Sequence, residues 1–138
     1  MNSIILDFLR KSLFKGDIAL QEALETGVEV GDLAALSWDE YLKVTPCSDI
    51  DGKYSKSIVA TYKLEHLMLY FNRVVEYRPD WLNDSQIKYC IHPSRGSLYV
   101  DKYKSSHNFL LAFPNEYIAN LFIRKNKDII YDYYRMQK

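Results

Sequence analysis

Cysteine is nearly absent from this chain of 138 residues: Cys47 and Cys90 are the two it has. Two are too few for a disulfide framework, so a reduced protein in the cytoplasm is the simpler expectation. Glycine is scarce too, with five residues scattered along the chain. Neither a phosphate-cradling loop nor a dinucleotide-binding fingerprint can be drawn from them. Long apolar runs are missing. A cluster such as residues 67–71 falls far short of the roughly 20 residues a membrane-spanning helix needs. Ile4, Ile5, Phe8 and Leu9 are interrupted by Asp7 and Arg10, with no basic leader and no small-residue cleavage site, so no signal peptide is expected. Net charge is lacking as well, with 18 Lys and Arg against 18 Asp and Glu.

What remains is an ordinary globular composition, 48% apolar and 26% charged, which excludes a disordered chain. One domain over residues 1–138 is the expectation, with a core of ordinary size. The charge is unevenly spread. Residues 1–50 hold four Lys/Arg against nine Asp/Glu, and residues 51–138 hold 14 against nine. Such a split marks either an interaction surface or two halves of one domain that attract each other.

Local signals order the chain. Ser3 and Asp17 can cap two N-terminal helices that stop at Gly16 and Gly27, because glycine takes the left-handed conformation that ends helices. Residues 28–32 are ambiguous. Ser37, Trp38, Asp39 and Glu40 form a capping box that opens a third helix, which Pro46 ends. Ser55 or Ser57 caps a long helix through Asn72, apolar nearly all round in its second half and therefore expected at the centre of the core. Trp81 should be largely buried in a turn fixed by Pro79. Residues 87–92 alternate as a strand, with Lys88, Cys90 and His92 on one face, and 93–96 read as a turn. Residues 97–103 and 109–113 read as second and third strands. Asn115 caps a closing helix whose buried face is Ile118, Ala119, Leu121, Phe122, Ile129, Ile130 and Tyr133. Helices first and strands later predict an α+β fold: N-terminal helices packed on a small antiparallel sheet, closed by a long C-terminal helix.

No motif carries chemistry at a recognised spacing. Cys90 and His92 are one close pair, whereas a zinc site commonly takes two, so no metal and no cofactor is expected. Asp49, Asp51 and Gly52 have the wrong spacing for a calcium loop. Cys47 or Cys90 could join a His and an Asp as a nucleophilic set, but no local signature singles either out. Tyr99 and Tyr103 share a strand face, with Asp101 between them and Lys102 and Lys104 close in sequence. Aromatic rings on a sheet can stack bases while lysines hold phosphates. The 12 Tyr and two Trp equally suit protein recognition, in which Tyr, Trp and Arg dominate the binding energy. Tyr131, Asp132, Tyr133, Tyr134 and Arg135 cannot all point inward from one helix end. The expected contact residues are therefore Tyr99, Lys102, Tyr103, Lys104, Tyr131, Tyr134 and Arg135.

Residues 62–72, then Pro79, Asp80, Trp81, Asn83, Asp84, Lys88, Tyr89, Phe113, Asn115, Ile118 and Ala119 follow a recognisable order. In that order the chain resembles a group of uncharacterised small proteins of phages and prophages of Bacteroidetes. These share a Pro-[Asp/Asn]-Trp turn, strands and a closing helix, and the Ser37 to Glu40 helix start also looks like theirs. The likeness departs from the group at the plain Phe71, Asn72, Arg73, Val74, Val75 stretch and in lacking a Gly/Ser-rich segment before the third strand. It implies a phage or mobile-element setting, hence a host-cell cytoplasm, and supplies no activity. The reading is a non-enzymatic accessory protein that binds a macromolecule, most readily a protein, with inhibition of a host defence system as an example. The alternative is a binder of single-stranded nucleic acid. No membrane partner is expected.

Overall fold

Ser37 starts a helix as its sequence dictates. Its hydroxyl accepts from the Glu40 amide while the Glu40 carboxylate accepts from the Ser37 amide, so two orphan donors of helix α2 (Trp38–Val44) are satisfied at once. The structure, a computed structural model, describes residues 30–50, 52–104 and 108–137. The helices expected around residues 3–16 and 17–27 lie outside these. A short helix α1 (Val30–Ala34) precedes α2. A Cβ on Gly31 would stand 3.3 Å from the Ile118 side chain, which is how closely α1 approaches the closing helix.

Helix α3 (Lys56–Val75) is capped by Ser55, whose hydroxyl accepts from the Ile58 amide. It runs three residues past the expected Asn72 and stops where Glu76 turns left-handed. Ala60, Leu64, Leu67, Met68, Tyr70, Phe71 and Val74 form its buried side. The helix is nevertheless not buried all round, because Leu69 is 64% exposed.

The sheet has three antiparallel strands in the order β2-β1-β3: β1 (Lys88–Ser94), β2 (Ser97–Tyr103) and β3 (Ala112–Phe113). Two sequence expectations are corrected. The turn is two residues, not four: Ser94 pairs with Ser97, and β1 continues through the exposed Pro93. Arg95 and Gly96 both have positive φ, 50° and 80°, which is the turn geometry that matches the twist of a hairpin. The third strand pairs over two residues only, Cys90 with Ala112 and Tyr89 with Phe113. Leu111 is buried in the core without being part of that strand. A Cβ at position 96 has open space but an unfavourable backbone. Gly96→Ala is expected to cost about 1–2 kcal/mol, read as a lower urea midpoint at unchanged slope. An unaltered midpoint would rule this turn geometry out.

Asn115 caps the closing helix α4 (Glu116–Tyr133), accepting from the Ile118 amide at 2.8 Å. Helix α4 contacts all three strands as well as α1 and α3. Phe71, Phe113 and Phe122 meet where α3, β3 and α4 converge, with ring centroids 5.3 and 5.0 Å apart. The buried face of α4 includes a polar residue that hydropathy does not reveal. Asn126 is 2% exposed and donates to Leu36 O, between α1 and α2, and to Phe122 O of its own helix. Its φ of −130° breaks the helix locally, since the side chain takes a carbonyl of the ladder. No helix among the described residues is long and apolar enough to cross a membrane.

Candidate functional site

Strand alternation decides which residues share a surface. The β1–β2 register sets Lys88, Cys90 and His92 beside Tyr103, Asp101 and Tyr99, all on one face. Ile91, Tyr89, Leu98 and Val100 take the opposite face and pack into the core. Among the described residues the first face lies outside the main core cluster, with Lys88 and Cys90 fully buried on it, and aromatic rings cover it. His92 contacts Tyr99, Tyr103 and Phe109 at centroid distances of 5.9, 5.2 and 4.5 Å. Phe109 also meets Tyr103 at 5.0 Å and Trp81 at 5.8 Å. These five rings form one contiguous patch. Tyr99 is 42% exposed, and the other four are half-buried. Leu82, next to Trp81, is 97% exposed.

The turn that carries Trp81 is built by its own side chains. Asp80 accepts from the Leu82 amide and Asn83 from the Ser85 amide, which is the local bonding such residues supply in turns. Gln86 ties the turn together, donating to Arg78 O and accepting from the Asp80 amide. Trp81 is half-buried and not largely buried. The turn carries its indole over Lys88 and against Phe109, with part of the ring left in solvent.

Lys88 lies beneath this patch with no exposed surface. Its Nζ donates to Asn83 O and to Lys104 O and sits 5.4 Å from the centre of the Trp81 ring. A buried ammonium is tolerated where backbone carbonyls replace its water. Cys90, beside it, is fully buried, and burial followed by the nearby Asp101 charge pushes its thiol up to about 12, against the pull of Lys88. It is not a nucleophile at neutral pH.

The expected contact residues are only partly brought together. Tyr99 and Tyr103 belong to the patch. Lys102 lies on the other face of β2, its Nζ 5.9 Å from the ring centre of Tyr89. Lys104 is exposed just past the strand. Tyr131 is 8% exposed and donates to Gly96 O, and Tyr134 is half-buried and donates to Ile91 O. Both hold α4 to the hairpin. Arg135 is exposed and lines a surface depression with Ser55 and Ser57, away from the strand residues. Sequence reasoning missed His92 and Phe109 as members of the patch: alternation grouped His92 with Lys88 and Cys90, and the strand register is what sets that face beside Tyr99.

A second cluster joins residues far apart in sequence. Cys47 Sγ lies 3.9 Å from His66 Nδ1 and 3.5 Å from Tyr62 Oη, and it donates to Ser48 O at 3.4 Å. Tyr41 Oη is 3.1 Å from the same Nδ1. Trp38 packs edge-on against His66 and Tyr62, and its Nε1 donates to Asp49. That bond, ahead of the opposing effect of burial, holds the Asp49 carboxyl below its usual range. Among the described residues no group of three or more His, Cys, Asp or Glu is placed to hold a metal ion.

No protein-family model, curated protein or solved structure matches this chain.

Proposed function

We propose that the protein binds another protein through the aromatic face of its sheet, without catalysing a reaction. The observation that supports this is the contiguous patch of Trp81, Phe109, His92, Tyr103 and Tyr99. It stands on the sheet face outside the main core cluster of the described residues, with exposed Leu82 beside it. Half-buried rings in a rigid frame lose little side-chain entropy on docking, which is why such residues dominate protein contacts. A single-strand nucleic-acid reading is less well supported. Base stacking on Tyr99 and Tyr103 needs cations on the same face, and Lys102 is on the other one, while Asp101 stands between the two tyrosines. The phage or mobile-element setting, with inhibition of a host defence as an example, rests on the sequence resemblance alone.

Pull-down from a host lysate, with and without nuclease, tests the reading. A protein partner should survive nuclease and be lost from the Tyr99→Ala and Leu82→Ser variants, both of which alter exposed side chains. Recovery of nucleic acid alone, or a partner retained by both variants, would overturn it.

A further inference from the structure

A cavity of about 700 Å³ opens between the segment that follows α2 and the flank of α3. Val44, Pro46, Leu69, Tyr70 and Val74 give it apolar walls, with Thr45 and Arg73 also in the lining and no carboxylate among the described residues. Cys47 and His66 belong to the same lining. Along α3 the lining extends from His66 to Val74, about 12 Å at 1.5 Å per residue. The cavity therefore joins a thiol, a histidine in hydrogen-bonding reach of it, and an apolar trough two helical turns long.

We propose that Cys47 is an acyl-acceptor site, which takes a medium-chain acyl group from an acyl thioester and stores the chain in this cavity. The chemistry follows from the pair. His66 Nδ1 lies 3.1 Å from Tyr41 Oη and 3.9 Å from Cys47 Sγ, and in the tautomer with its hydrogen on Nε2 its one lone pair accepts from one of them at a time; the thiol hydrogen, which rests on Ser48 O, turns to it for the reaction. That nitrogen takes the thiol proton as Sγ attacks the thioester carbonyl. A carbon–sulfur bond to Cys47 forms, the bond to the donor's sulfur breaks, and His66 returns the proton to the departing thiolate. One thioester and one thiol become another thioester and thiol, with no oxidant, reductant or metal. An acyl thioester is the electrophile that suits the site because it offers both a carbonyl to the thiol and a chain to the apolar walls. Cys90 does not compete, being fully buried. The site is separate from the aromatic face of the sheet and does not depend on the protein-binding reading.

The test incubates the full chain with octanoyl-coenzyme A or acetyl-coenzyme A near neutral pH and follows intact mass. One octanoyl group should appear, be released by hydroxylamine, and be absent from Cys47→Ser. Octanoyl transfer should be at least about tenfold faster than acetyl transfer, since buried methylenes stabilise the encounter. Leu69→Glu, which puts a charge on the apolar wall, should slow octanoyl transfer by a larger factor than acetyl transfer. His66→Gln, with folding checked by circular dichroism, should slow both donors and shift the pH profile to that of a simple thiol. Equal rates for the two donors, an adduct that persists in Cys47→Ser, or release of coenzyme A without a protein-bound acyl group would each overturn the proposal.

Discussion

Raising the pH from 8 to 11 is expected to remove on the order of 5 kcal/mol of folding stability. Burial is the first cause, keeping Tyr70 and Tyr77 neutral up to about 12, with nearby Tyr41 and Cys90 adding to it, and Cys90 likewise stays neutral to about 12. The unfolded chain loses these protons near pH 9 for the thiol and near pH 10 for the phenols, roughly two to three units sooner. Stability from these groups is therefore whole below about pH 9 and lost as pH rises toward 12. Tyr77 is partly exposed, which reduces its share. Tyr41, Tyr103, Tyr133 and Tyr134 are raised in the same direction, each chiefly by burial. Against a typical total of about 5–15 kcal/mol, the loss brings alkaline unfolding close to pH 11. Denaturant midpoints across this range measure it, and Tyr77→Phe should flatten the slope. A midpoint that stays constant from pH 8 to 11 would contradict the burial of these groups.

Lys88→Met should cost about 2–4 kcal/mol. Methionine keeps most of the apolar stem but leaves Asn83 O and Lys104 O without their donor. These two carbonyls belong to the segments that flank the aromatic face, so the loss is local as well as global. Amide exchange in residues 79–86 should quicken by more than the global change accounts for, and Trp81 should lose its cation–π partner. Wild-type stability and exchange in this variant would mean that water can replace the ammonium, and the lysine would then have no structural role.

What the residues announce on their own is the chemistry of their immediate neighbours. Ser37 with Glu40, Ser55 and Asn115 each cap the helix their sequence implies, because a cap involves side chains and amides only three positions apart. The α+β order of elements is legible for the same reason. Local signals misjudge whatever a distant segment decides. Pro93 reads as a breaker, yet β1 continues through it to the two-residue turn. The apolar run at 109–113 reads as a strand, yet only Ala112 and Phe113 pair. Lys88 and Asn126 are polar side chains that nonetheless lie buried, each held by a carbonyl from another segment. Cys47 and His66 are 19 positions apart, a spacing without meaning until the segment after α2 folds back on α3. Tyr131 and Tyr134 were indistinguishable in sequence from contact tyrosines, since an amphipathic ring suits a rim and an interior carbonyl equally well.

The hydroxyls of Tyr131 and Tyr134 also constrain the sequence of events in folding. The hairpin closes over a two-residue turn, an event of microseconds for isolated peptides, and needs nothing beyond residue 103. The bonds from Tyr131 to Gly96 and from Tyr134 to Ile91 span 35 and 43 positions. Their acceptors are carbonyls of a finished hairpin, so the end of α4 cannot lock before the hairpin exists. Substitutions at the arginine–glycine turn should therefore slow folding, whereas Tyr134→Phe should chiefly hasten unfolding. On a ribosome, the last turn of α4 emerges after everything it must clasp, and its two tyrosines act as a latch that closes late.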